Sequence, residues 1–147
     1  MNIKEKLMED LKVAMKNKDV IKKNTITLIR SAILQYEKDN KIELDENGII
    51  EIISKELKKR NDSLVEYEKS GRADLINSLK EEIEVVKEYL PEPLTVEELE
   101  QIIKDTIEEV GAKDMKDMGK VMQSVKAKTL GRADGKTINE IVKKQLA

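Results

Sequence analysis

With 147 residues, 39% of them charged and only 2% aromatic, this chain carries a net charge of −2. That length fits one compact domain, or a medium domain with a small satellite, and a core built without Phe or Trp must come from Leu, Ile, Val, Met and Ala. The absence of Cys and His excludes disulfides, cysteine nucleophiles, zinc sites with Cys or His ligands, and the usual near-neutral general base.

The chain opens on MNIKEKLMEDLK, which lacks the apolar run of a signal peptide. No stretch reaches the ~20 apolar residues that span a bilayer, so no membrane is expected and the cytoplasm is the expected compartment. Ile3, Leu7, Leu11 and Met15 recur every four residues and predict one helical face. Asp19 is placed to cap a second helix with a stripe through Ile26, Ile29, Ala32 or Ile33, and Tyr36. KDNKIELDENG reads as a loop. A long periodic run from about Glu46 to Lys69 carries Ile49, Ile50, Ile53, Leu57, Leu64 and Tyr67, and Ser70-Gly71 stops it. Asp74 is the expected cap of the next helix, which carries Leu75, Leu79, Ile83, Val86 and Leu90.

Pro91 and Pro93 are the only prolines. Each removes a backbone donor and pushes the preceding residue out of helical geometry, so a boundary is expected between a domain at 1–90 and another at 91–147. Thr95-Val96-Glu97-Glu98 matches a capping box and predicts a fresh helix that ends at Gly111. A further helix is expected from about Met115 to Leu130, and a short last one through Ile138, Ile141, Val142 and Leu146. The prediction is an all-α protein: an N-terminal helical domain of about four helices and a small three-helix C-terminal domain.

Between the last two helices the chain reads LGRADGKT. Its glycines, lysine and threonine suggest a phosphate loop, but the nucleotide-binding P-loop has four residues between its glycines and this has three. No strand–helix alternation exists to build a sheet behind it. A milder possibility stays open: Gly131 and Gly135 precede a helix N-terminus, which attracts phosphate through free N–H groups and the helix dipole. "GRAD" also occurs at 71–74, where glycine ending one helix and aspartate starting the next explains it without any function.

The charge is unevenly spread. From Lys120 onward there are seven basic residues (Lys120, Lys126, Lys128, Arg132, Lys136, Lys143 and Lys144) against Asp134 and Glu140, a local +5, which leaves −7 for the remainder. A basic tail on an acidic chain is a candidate anion-binding face; the bland alternative is solvated helix surface, and the pattern alone does not choose. The scarcity of aromatics argues against base stacking, so backbone or shape recognition of a nucleic acid is the better form. Met115, Met118 and Met122 share one helical face, for which core packing is the simpler reading and a partner groove the other. Lys58, Lys59, Arg60, Ser63, Glu66, Tyr67 and Glu68 are read as a solvent face with local ion pairs, a polar functional face being the other reading. Nothing calls for a cofactor or metal.

Four stretches carry a resemblance: KELKKRNDSLVEYEKSGRADL at 55–75, YLPEPLTVEEL at 89–99, DMGKVMQSVK at 117–126 and GRADGKTIN at 131–139. The chain resembles the YqeY-like family, related to the C-terminal part of the B subunit of the glutamine-dependent tRNA amidotransferase (GatB). The resemblance implies an all-helical protein in two parts, and a tail that touches the outer corner of tRNA while chemistry happens elsewhere. Carried over, Lys120, Lys126, Arg132 and Lys136 become candidate tRNA-backbone contacts. One departure is Gln123, where many relatives have glycine. The family-level label would be a carbon–nitrogen ligase with glutamine as amide donor. This chain has no cysteine, no amidase signature and no nucleotide loop, so the expectation is a tRNA-binding or structured-RNA-binding module, working alone or beside an amidotransferase and without its own catalytic centre. The alternative is a protein-interaction adaptor using the acidic N-terminal bundle or the methionine face.

Overall fold

The computed structural model describes all 147 residues and contains seven α-helices and no strand. The expected all-α class holds. Contacts divide the chain into two units, Met1–Pro91 and Glu92–Ala147.

The first unit holds α1 (Ile3–Lys16), α2 (Val20–Asn40), α3 (Glu46–Ser70) and α4 (Ala73–Lys87). Local chemistry starts three of them. The side chains of Asn2, Asp19 and Asp45 accept hydrogen bonds from the backbone N–H of Glu5, Lys22 and Gly48, at 2.8, 3.1 and 2.8 Å, satisfying donors that a helix start leaves free. Gly71 ends α3 with φ of +70°, a left-handed conformation that side chains disfavour. Lys4 near the start of α1 meets Glu37 near the end of α2 at 2.7 Å, so these helices run antiparallel. Leu7, Ile26, Ile29, Ile33, Ile49, Ile52, Ile53, Val85, Val86 and Tyr89 form the core. Burial pushes the Tyr89 phenol well above its ordinary pKa, and its hydrogen bond to the Asp10 carboxylate adds to this.

Several local expectations are corrected. Met15 is exposed and Ala14 takes the buried position. A four-residue repeat advances about 400° per step and drifts around the helix, whereas Ala14, seven residues after Leu7, stays over the core. Tyr36 is likewise exposed. The loop after α2 is only Lys41–Asp45, since α2 runs to Asn40 and α3 begins at Glu46. Asp74 does not cap α4: the helix restarts at Ala73 directly after the Gly71-Arg72 turn, and Asp74 falls in its first turn, where its charge complements the helix dipole. Arg60 is not on a solvent face. It is 8% exposed and lies between Glu56, also 8% exposed, and Glu82 of α4.

The second unit holds α5 (Val96–Val110), a 3₁₀ turn (Met115–Asp117), α6 (Met118–Lys128) and α7 (Gly135–Leu146). The capping box forms: Glu98 N donates to Thr95 Oγ1 at 3.1 Å and Thr95 N to Glu98 Oε1 at 3.4 Å. The helix expected from Met115 to Leu130 is shorter. Asp114 accepts from Lys116 N and Asp117 from Lys113 N, which tightens the entry into a 3₁₀ turn. Leu99, Ile103, Val121, Val125, Ile138, Val142 and Leu146 form a separate core, with Met118 and Met122 packed against it. The methionine face is therefore largely spent on packing, and only Met115 is exposed.

Candidate nucleic-acid interface

The seven candidate basic residues all lie on or between α6 and α7, but they do not have equal freedom. Lys128 is committed. Its Nζ donates to Thr106 Oγ1 at 3.0 Å and to the Glu109 carboxylate, both on α5. Arg132 is half-buried and acts as a strap. Its Nε donates to Glu92 O at 2.9 Å while its own carbonyl accepts from Leu94 N at 2.9 Å. Arg132 thus ties the last bend to the segment leading into α5, and part of its guanidinium's donor capacity is used there. The remaining five, Lys120, Lys126, Lys136, Lys143 and Lys144, are exposed, and none lies in an ion pair.

Helical rotation shows how these five are arranged. Lys128 marks the side of α6 that faces α5. Lys126 lies two residues earlier, about 200° around the helix, and so points away from α5. Gln145 marks the corresponding side of α7, because its Nε2 donates to Glu100 O on α5 at 3.1 Å. Lys143 lies two residues before it and also points away, and Lys136, seven residues earlier still, shares the Lys143 stripe. Lys126, Lys136 and Lys143 therefore lie on the side of the hairpin turned from α5. Lys120 and Lys144 sit on intervening solvent-facing positions.

The polarity of the unit sharpens this. Helix α5 carries Glu97, Glu98, Glu100, Asp105, Glu108 and Glu109 against Lys104 alone. Helix α6 has no acidic residue, and α7 has only Glu140. An acidic helix is thus backed by a cationic hairpin, and a polyanion meets attraction on one side and repulsion on the other.

The bend itself is not an open phosphate cradle. Asp134 caps α7: Oδ1 accepts from Thr137 N at 2.7 Å and Oδ2 from Thr137 Oγ1 at 3.1 Å. A carboxylate of the chain occupies the helix start that would attract an anion. Gly131, with φ of +74°, lets the chain turn between α6 and that cap. No group of three or more acidic side chains is placed to hold a metal ion.

Sequence reasoning missed Thr106, Glu109 and Glu92 as partners of Lys128 and Arg132. Their separations, 22, 19 and 40 residues, fall outside any helical periodicity, so no local signal could have found them.

Seven helices in two units, the second pairing an acidic helix with a cationic hairpin, define a small all-helical protein that presents an exposed charged face. The family model described as "Yqey-like protein" matches residues 4–146, and the chain belongs to that family. It is also similar to two proteins named "Altered inheritance of mitochondria protein 41, mitochondrial". The one from Pyrenophora tritici-repentis is 29% identical over 143 residues, covering 93% of this chain and 79% of the relative. The one from Candida glabrata is 40% identical over 88 residues, covering 58% of this chain and 48% of the relative. No helix is long and apolar enough to cross a membrane.

Proposed function

We propose that this protein binds the phosphate backbone of a structured RNA, with tRNA the first candidate, along the α6–α7 side of its second unit. It serves as a holding module accessory to glutamine-dependent tRNA amidotransfer, and the chemistry resides in a partner. The observation that carries this is the set of unpaired ammonium groups of Lys126, Lys136 and Lys143, turned away from the acidic α5. Backbone recognition needs positive charge on one side and little else, which suits a chain with three aromatic residues. The resemblance of four stretches to the amidotransferase tail motivates tRNA over other RNAs.

The adaptor alternative loses its methionine face, since Met118 and Met122 pack against the second core. The compartment belongs to the proposal too: the cytoplasm is one candidate, and both relatives carry "mitochondrial" in their names. Fractionation of the native protein decides between them.

The test is a filter-binding titration of the full chain against total tRNA at two salt concentrations, beside a Lys136→Glu/Lys143→Glu variant. Salt-sensitive binding that the variant loses supports the proposal. Absence of binding at the lower salt, or binding indifferent to the charge reversal, overturns it.

A further inference from the structure

The strongest unexplained surface lies in the first unit, on the side of α1 and α2 marked by the Lys4–Glu37 ion pair. Met8 follows Lys4 by one turn of α1, and Leu34 precedes Glu37 by one turn of α2. Both therefore emerge on that side at the same level. Leu11 and Met15 continue the stripe along α1. Met8, Met15 and Leu34 are 39%, 56% and 56% exposed.

On the flank of α1 turned from α2, the charges beside this stripe are ordered. Glu5 and Glu9 occupy the first half of α1, Lys12 and Lys16 the second, and all four are exposed and outside every ion pair of the chain. Glu5 and Glu9 are four residues apart, as are Lys12 and Lys16, so like charge neighbours like charge along the helix, a spacing that is locally unfavourable. An antiparallel copy of the same helix reverses that relation. A two-fold axis near Leu11 sets Glu5 and Glu9 against the second copy's Lys16 and Lys12. The same register sets Met8 and Leu34 against the second copy's Met15. One rotation satisfies both the apolar stripe and the charges, which is what a self-complementary two-fold interface requires.

We propose that the α1–α2 face is a homodimer interface, with α1 crossing its symmetry mate antiparallel. Its apolar centre is only Met8, Leu11, Met15 and Leu34, against the roughly 20–30 residues a side of a standard interface, so the dimer is weak and reversible. The proposal is independent of RNA binding.

The test is sedimentation equilibrium of the full chain at low salt, from micromolar to near-millimolar concentration. The wild type is expected to shift from monomer to dimer across that range. Glu5→Lys/Glu9→Lys and Lys12→Glu/Lys16→Glu are surface changes. Each alone places like charges at all four cross-interface pairs and is expected to weaken dimerisation by about tenfold or more. An equimolar mixture of the two variants restores opposite pairs and regains dimer. Circular dichroism confirms that each variant remains helical, and Met8→Glu/Leu34→Glu gives a second, uncharged-stripe probe that is expected to stay monomeric. A wild type that is monomeric throughout overturns the proposal. So does a dimer unaffected by either charge variant, and so does a mixture that fails to regain dimer.

Discussion

Replacing Arg60 with Met keeps an unbranched stem of similar reach and removes the guanidinium. In the wild type that group is 9% exposed as a side chain, with Nη1 donating to Glu56 O at 3.1 Å and lying 3.8 Å from Glu56 Oε1, while Nε stands 3.6 Å from Glu82 Oε1. Removing one partner of a fully buried ion pair costs about 3–5 kcal/mol, because the other charge is stranded. Here two features soften the loss. The Glu82 side chain is 29% exposed, and Glu56 keeps Lys59 at 3.2 Å. The expected cost is therefore about 2 kcal/mol. All three tyrosines, Tyr36, Tyr67 and Tyr89, lie in Met1–Pro91 and there is no Trp. Tyrosine emission during a urea titration therefore reports the first unit alone. If stranded charge is the cause, Arg60→Met/Glu56→Gln recovers about 1 kcal/mol of the loss. An Arg60→Met protein as stable as wild type, or a double variant no better than the single, refutes the reasoning.

Other outcomes follow from the same structure. Lys136→Gln is expected to reduce the salt dependence of RNA binding by roughly 0.9 log units per tenfold change in salt, the duplex value for one phosphate contact. Lys128→Gln leaves that slope nearly unchanged, because Glu109 already balances its charge; equal effects from the two would contradict the assigned geometry. Asp134→Ala removes the α7 cap and costs about 1 kcal/mol, yet tightens phosphate binding by freeing the helix start, whereas Asp134→Asn keeps most of the stability; thermal melts and filter binding read the two effects separately. Glu37 is held below its ordinary pKa of 4.5, first by the Lys4 hydrogen bond and then by Leu44 N. A lowered carboxylate stabilises the fold above its unfolded value, and that contribution is lost as pH falls through the folded value. Urea midpoints of wild type are therefore expected to drop below about pH 4.5, and those of Glu37→Gln to drop less steeply.

Helices and their starts were legible in the residues because their causes are local. A cap such as Asp19 or the Thr95–Glu98 box needs partners only three positions away, and an apolar stripe needs only its own helical period. The aliphatic, aromatic-poor composition likewise determined what the cores could be made of. The failures begin where a period drifts or a turn is tighter than its composition suggests. Met15 rotates out as Ala14 rotates in, and Asp74 arrives two positions too late to cap α4, whose cap position is Arg72. Beyond these, which way each helix faces is set by neighbours far along the chain. Seven positive side chains after residue 119 were visible from the start. Only packing against α5 engaged Lys128, strapped Arg132 to Glu92 and turned Lys126, Lys136 and Lys143 outward. Arg60 belongs to the same class: its helix suggested solvent, and the approach of α4 buried it between two carboxylates. Helical period fixes a side chain's angle relative to its own helix, but the zero of that angle is chosen by long-range packing.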